Sequence, residues 1–172
     1  MQNYLYDPIM DGTYCVVGYN GDEEEITVQL HGFNHSNPVS LIFDRVFKGH
    51  TEIRNINLPD TLTELGEFVF DGCTNLKEIH LPDGFQNAWP NAFARCGLEK
   101  ITFPDKVASL APYLFRDCKS LKVVECGKGL KKINNCAFFG CTALEKIIVP
   151  QNTEILPKAF EGCDREIEIV RF

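Results

Sequence analysis

The stretch FDGCTNLKEIHLP, which runs from Phe70 to Pro82, decides the fold because it recurs along the chain. Four related stretches follow it, and they end at Pro104, Gly127, Pro150 and Phe172. The cysteines of the five copies are spaced by 23, 22, 23 and 22 residues: Cys73, Cys96, Cys118, Cys141 and Cys163. A period in the twenties with the spacing L-x-x-I-x-L is typical of a solenoid, in which each repeat forms one coil of a stack.

Each coil is predicted to present one short strand with inward apolar side chains. In the first full copy these are Leu76, Ile79 and Leu81, and Pro82 ends the strand because proline cannot donate to a sheet ladder. The phenylalanine that begins each copy is predicted to stack in an aromatic spine, with each ring burying roughly 150 to 250 Å². The members of this spine are Phe70, Phe93, Phe115, Phe138 and Phe160.

A glycine precedes the cysteine in three copies, where it permits a tight corner. These glycines are Gly72, Gly140 and Gly162. Arg95 and Asp117 replace the glycine in the other two copies. The sequence therefore predicts that a positive φ angle is not required at this corner.

The N-terminal part of the chain is predicted to cap the stack. Residues 1–12 are polar and favour a leading segment. Residues 13–19 and 26–30 are rich in β-forming residues, and the sequence Asn-Gly-Asp lies between them. We therefore predict a β-hairpin from these two segments that covers the open apolar end of the solenoid.

The repeats restart after a loop at residues 31–38, which are rich in turn-forming residues. We expect a single domain over residues 1–172. Residues 1–38 would form the N-terminal cap and a degenerate first coil, and residues 39–172 would form repeats of 22–23 residues. The predicted stack has about six strand-bearing coils.

The repeated motif Ala/Val-Phe-x-Gly-Cys-x-x-Leu-x-x-Ile-x-Leu-Pro is seen at residues 69–73 and 137–144. On this motif the chain resembles the BspA-like, or Treponema-type, leucine-rich repeat family over residues 39–172. The resemblance implies an α/β-type but β-rich repeat solenoid, a right-handed superhelix with a parallel sheet on its concave face. It also implies adhesion to host or matrix proteins at a bacterial or protozoan cell surface.

The sequence favours no single compartment. We see no secretory signal and no apolar run near the roughly 18 residues of a membrane span, so membrane insertion is not expected. The resemblance suggests the cell surface, whereas eight cysteines without a secretory signal favour a reducing compartment.

The eight cysteines invite a disulfide or zinc interpretation, and the repeat alignment favours buried free thiols. Five of them occupy one position of successive coils, where parallel side chains aim poorly for a bridge. Cys126 occupies a core strand position. Cys136 and Cys15 are predicted to be the thiols that react first with a labelling reagent.

No pattern for catalysis, cofactor binding or metal binding is found in the chain. The net charge of −7 argues against a nucleic-acid partner. An enzyme or metal protein is the third hypothesis, and it requires that His31, His35 and His50 converge in space with a cysteine.

The leading hypothesis is a non-catalytic protein-binding module that holds its partner on the concave sheet. The outward strand residues should form two columns on this face. The first column is Asn55, Glu78, Lys100, Val123, Lys146 and, with a shift of one residue, Ile169. The second column is Asn57, His80, Thr102, Glu125, Ile148 and Arg171. The apolar members of the later coils are either a contact patch or simply residues that favour strands.

The alternative hypothesis is a structural or self-associating unit. Residues 166–172 form a predicted strand that no capping element follows, so its edge is open. A second copy of the chain, which would give a homodimer, or further repeats would cover this edge. The charges of Glu166, Glu168 and Arg171 would alternatively protect it.

Overall fold

The computed structural model describes residues 3–29, 31 and 37–172, and within these ranges the chain forms fourteen short β-strands and no α-helix. The fold is a β-solenoid of stacked coils, as the repeat predicts. Two strand columns run along the stack. We call them the front strands, which correspond to the predicted concave sheet, and the side strands.

The front strands pair in parallel and form two separate sheets. β3 pairs with β5 in one sheet, and β8, β10, β12 and β14 form the other. The bounds are β3 (Glu25–Thr27), β5 (Asn55–Asn57), β8 (Lys100–Phe103), β10 (Val123–Cys126), β12 (Lys146–Val149) and β14 (Glu168–Arg171). Along each front strand buried and accessible residues alternate, except in the terminal β14, where the inner positions are also accessible.

The side strands also form two sheets, of five and three strands. The five-stranded sheet contains β1 (Tyr4–Pro8), β2 (Tyr14–Tyr19), β4 (Val39–Ile42), β6 (Glu64–Leu65) and β7 (Asn87–Ala88). The three-stranded sheet contains β9 (Ser109–Leu110), β11 (Lys132–Ile133) and β13 (Glu154–Ile155). All neighbours are parallel except the pair of β1 and β2.

The predicted aromatic spine is confirmed, and it begins one coil earlier, at Phe47. Successive ring centroids lie 5.4 to 5.7 Å apart, and successive ring planes differ by no more than 13°. Tyr19 covers the N-terminal end of the spine, with its ring centroid 5.3 Å from that of Phe47. The rings from Phe47 to Phe138 are fully buried, so the spine is the centre of the core.

The predicted N-terminal hairpin was wrong in its pairing. β2 pairs in antiparallel register with β1, from the segment expected to be only a leading segment. Ile26 belongs to β3, which pairs in parallel with β5 and so begins the front face. Packing explains the difference, because Tyr4 and Tyr6 of β1 lie against the core. The polar residues on either side of these tyrosines gave the segment the sequence pattern of a leading segment. Leu30, the end of the predicted second arm, lies outside the described residues.

The prediction that no positive φ angle is required at the coil corner was also wrong. Arg95 and Asp117, which replace the glycine, have φ angles of 51° and 58°. Hydrogen bonds to the next coil fix this corner, since the amide of Arg95 donates to the carbonyl of Arg116 at 2.7 Å and that of Asp117 to the carbonyl of Phe139 at 2.8 Å. The neighbouring coil therefore imposes the conformation whichever residue occupies the corner.

A second left-handed position lies four residues before each of these corners. No glycine occupies it, and its members with positive φ are Arg45, Phe68, Asn91, Tyr113 and Cys136. The coils from Phe47 to Phe138 thus each contain two backbone positions in the left-handed region, whereas the last coil has only Gly162.

Shortening the central ring of the spine is expected to destabilise the fold strongly. Phe93→Ala removes a fully buried ring that stacks on Phe70 and Phe115, so we expect a loss of about 3 to 5 kcal/mol in the free energy of unfolding. Phe43→Ala truncates a half-exposed ring and serves as the control, with an expected loss below about 1 kcal/mol. Urea denaturation measures both, and equal losses would contradict the role of the spine.

At the left-handed corner we expect a glycine variant to be more stable than an alanine variant, which is the reverse of the order expected at an ordinary position. At Asp117 we expect the glycine variant to be more stable than the alanine variant by about 1 kcal/mol, since a Cβ atom is strained at positive φ. At exposed Lys106, whose φ angle is not positive, alanine should be the more stable of the two. Thermal denaturation of the four variants checks this order.

Candidate binding face

Ten of the twelve predicted face residues lie at outward positions of the front coils. Lys100, Val123 and Lys146 are in register on adjacent strands, as are Thr102, Glu125 and Ile148. Asn55 and Asn57 lie at the two outward positions of β5. Glu78 and His80 are exposed in the following coil. Their part in binding stays a prediction.

The other two predicted residues, Ile169 and Arg171, are not at outward positions. β14 pairs with β12 so that Ile169 aligns with the inner residue Ile147 and Arg171 with the inner residue Val149. The Arg171 guanidinium donates to the carbonyls of the preceding coil, including that of Gln151 at 2.9 Å. The last coil advances by 22 residues, from Lys146 to Glu168, whereas the assignment of Ile169 assumed a step of 23 residues.

Four residues of the front face were missed from the sequence. Glu168 and Val170 take the outward positions that we had assigned to Ile169 and Arg171. Glu25 and Thr27 extend the face at the other end, in register with β5. A signal existed for this pair, because the triplet Glu-Ile-Thr has the same polar-apolar-polar pattern as Asn-Ile-Asn in β5.

The charges of the C-terminal half of the front face neutralise one another. Lys100 lies 2.8 Å from Glu125, and Lys146 lies 3.4 Å from Glu168. Thr102 also donates to Glu125, at 3.1 Å. The hydrogen bond from Lys100 is the main reason that the pKa of Glu125 is lowered. These side chains are therefore partly engaged by their own neighbours.

The N-terminal half of the front face contains a polar cleft of about 580 Å³. It lies where the front sheet is interrupted, because the backbone of residues 78–80 makes no backbone hydrogen bond with either adjacent coil among the described residues. Glu25 accepts a hydrogen bond from Asn55 at 3.2 Å at its rim. The side chains of Glu78 and His80 have no hydrogen-bond or ion-pair partner among the described residues. The cleft is lined by Glu25, Asn55, Ile56, Asn57, Glu78, Ile79, His80, Lys100, Ile101 and Thr102.

The histidines considered for a metal site are not gathered into one by the described residues. His50 is half-buried beside Glu52 and the ring of Tyr19. His31 forms an isolated bridge with Pro38, and His35 lies outside the described residues. Across residues 3–29, 31 and 37–172 no group of three or more His, Cys, Asp or Glu side chains is arranged to hold a metal ion.

Four of the five repeated cysteines donate hydrogen bonds to the spine, and the fifth, Cys96, lies 3.7 Å from the sulfur of Cys118. The thiol of Cys73 donates to the carbonyl of Phe47 at 3.0 Å, and that of Cys118 donates to the carbonyl of Phe93 at 2.9 Å. Cys141 and Cys163 make the same bond to the spine phenylalanine of the preceding coil. The predicted burial is confirmed for all of the repeated cysteines except Cys163, which is half-buried. The thiol column thus joins neighbouring coils through the backbone of the spine.

The two cysteines predicted to react first are not the accessible ones. Cys15 and Cys136 are only 4% and 7% exposed. Cys136 lies at the second left-handed position of the coil, and its thiol faces Glu161 of the next coil at 3.6 Å. Of the eight cysteines, only Cys163 is more than marginally accessible, since it belongs to the last coil.

The stacked coils and their parallel strands place this protein in the class of leucine-rich repeat solenoids. The model of the BspA-type leucine-rich repeat region matches residues 40–166 in six copies, and the chain belongs to this family. No curated protein matches the chain. No helix of the described residues is long and apolar enough to cross a bilayer.

Solved structures agree with this assignment. The chain is similar to the leucine-rich repeat protein of Treponema pallidum, with 26% identity, a TM-score of 0.87, and coverage of 99% of this chain and 83% of that one. A leucine-rich cell surface protein of Faecalibacterium prausnitzii has 27% identity, a TM-score of 0.72, and coverage of 99% and 53%. This chain therefore spans about half of that protein. The pneumococcal vaccine antigen PcpA has 14% identity, a TM-score of 0.69, and coverage of 97% and 47%, which shows a shared fold.

Thiol labelling should single out Cys163. Burial raises the pKa of Cys163 to about 11 and that of Cys126 to about 12, so little reactive thiolate exists at pH 8 and exposure decides the rate. We expect one slow phase in native protein with Ellman's reagent, and all eight thiols to react in denaturant. Cys163→Ser should remove the native phase. Loss of that phase in Cys136→Ser instead would contradict the assignment.

Proposed function

We propose that this protein is a protein-binding module whose partner docks on the front face, over the cleft at residues 78–80. Leucine-rich repeat proteins are generally protein-interaction modules, which supports the general role. The observation that carries the proposed location is the cleft itself, where Glu78 and His80 are exposed and unpaired among the described residues while the later charges of the face are paired. Polar groups without internal partners are available to a ligand without the loss of an existing contact.

The partner surface is proposed to carry lysine or arginine. Glu25 and Glu78 both line the cleft, and its one cationic ammonium, that of Lys100, is already held by Glu125. The chain as a whole carries a net charge of −7. Complementary charge steers encounter and fixes the orientation of a complex, so binding should weaken as salt is added.

Adhesion at a cell surface is the biological setting that we propose. The similarity to a leucine-rich cell surface protein of Faecalibacterium prausnitzii over 99% of this chain supports it. Host or matrix proteins with basic segments are the partners to test first.

Self-association is a second candidate function, and the exposed apolar end of the stack favours it. Ile169 and Phe172 are 43% and 53% exposed. β14 pairs only with β12 among the described strands. A lysine at Ile169 would charge this end, so a concentration-dependent dimer in sedimentation that is lost in Ile169→Lys would favour self-association. A monomer in both proteins would exclude it.

Charge reversal in the cleft should weaken capture of a basic matrix protein. We expect Glu78→Lys to reduce binding to an immobilised lysine- and arginine-rich segment of a matrix protein about tenfold or more, because it places a cation opposite the basic partner. Surface plasmon resonance in low and high salt measures the affinity.

The matched control is Glu154→Lys, which makes the same charge change on the side strand β13. It should retain most of the binding. Equal losses in both variants would mean that only net charge matters, and unchanged binding in Glu78→Lys would exclude the cleft.

A further inference from the structure

The side sheet is interrupted between β7 and β9, and backbone groups at the break lack partners. In neighbouring coils the amide of Trp89 donates to the carbonyl of Leu65 at 3.0 Å, and that of Asn134 donates to Leu110 at 3.2 Å. The equivalent bond across the break would join Ala111 to Ala88, and it is absent among the described residues. An amide and a carbonyl thus remain free to bond elsewhere at this point of the solenoid.

A cleft of about 410 Å³ lies at this break, and its lining carries no charged side chain. Aromatic, proline and alanine side chains supply its apolar surface, and two amides and a hydroxyl supply its polar groups. The lining residues are Asn87, Ala88, Trp89, Pro90, Ser109, Ala111, Pro112 and Asn134. Apolar walls with a few convergent polar groups are typical of ligand sites.

Trp89 is the only tryptophan of the chain, and it stands at the cleft half-exposed. Its indole nitrogen donates to Glu64 at 3.2 Å, which orients the ring. The same column position is Gly66 in the preceding coil and Ala111 in the following one, so no large neighbour covers the ring. A large aromatic surface is therefore left exposed at the cleft, whereas the spine rings from Phe47 to Phe138 are fully buried.

We propose that this cleft binds a neutral saccharide, with a sugar ring stacked on Trp89. The face of an indole ring carries negative charge density and attracts the weakly positive C–H groups on the flat side of a pyranose. Asn87 and Ser109 offer uncharged donors and acceptors that suit hydroxyl groups. Asn134 offers its amide oxygen, since its amide nitrogen donates to the carbonyl of Leu110 at 2.8 Å, and the free backbone groups at the break offer more.

The absence of charge in the lining selects against other ligands. A phosphate or carboxylate ligand would bring a charge that no lining cation could pair, and the Glu64 carboxylate beside the ring already accepts the hydrogen bond of the indole nitrogen. A β-linked glucan, whose hydroxyls are equatorial, leaves both faces of each ring apolar and fits this surface best. The site belongs to the side strands, so it does not depend on the proposed protein-binding role of the front face.

Titration of the sole tryptophan tests the proposal directly. We expect cellohexaose to change the fluorescence of Trp89 in a saturable way and to release measurable heat in calorimetry. Hexagalacturonate, which is charged, and decaproline, which represents a peptide ligand, should do neither. Binding of decaproline but not cellohexaose would overturn the proposal in favour of a peptide site, and failure of cellohexaose to bind would overturn it as well.

Two variants locate the binding. Trp89→Ala should weaken cellohexaose binding in calorimetry by about tenfold or more, since aromatic anchors dominate such sites. Phe172→Ala removes a ring of similar exposure at the end of the stack and should leave binding unchanged. Asn87→Ala should weaken binding less than Trp89→Ala does. Equal effects of Trp89→Ala and Phe172→Ala would overturn the assignment of the site, and unchanged circular dichroism will show that both variants are folded.

Discussion

Stacking of one phenylalanine per coil is the constraint on which the structure depends. The rings repeat at 5.4 to 5.7 Å, so every coil must return its backbone to the same place one layer further on. The cysteine column reinforces this return, because most of its thiols donate to the carbonyl of the spine phenylalanine in the preceding coil. A small residue that can also donate a hydrogen bond suits this position, which gives a physical reason for cysteine there.

The same constraint leaves the outward positions free to vary. Inner columns are nearly uniform, whereas the front face changes from an open polar cleft to paired charges along the stack. Interruptions of the sheets add a second level of variation. The front interruption is lined mainly by carboxylates and amides, which is the basis of the proposed basic partner, whereas the lining of the side interruption is uncharged and includes Trp89. Two surfaces of different chemistry can thus occupy one scaffold.

The errors of sequence interpretation have a common physical origin. Arg95 and Asp117 look unsuited to positive φ, yet hydrogen bonds from the next coil hold them there. β1 looks like a polar leader, yet its two tyrosines pack on the core. Cys136 looks exposed from its varied counterparts, yet it is buried and Glu161 of the next coil lies beside its thiol. In each case a contact from another coil outweighs the local preference of the residue.

The sequence by itself determined the solenoid, the spine and ten of the twelve predicted outward positions, because these follow from the spacing of apolar residues within one repeat. It also contained the 22-residue step that carries Lys146 to Glu168. Only the tertiary structure decided where the sheets are interrupted, which charges are paired, and which aromatic rings are left exposed. Those features depend on how adjacent coils hydrogen-bond to each other, and no pattern within a single repeat records the alignment between two of them.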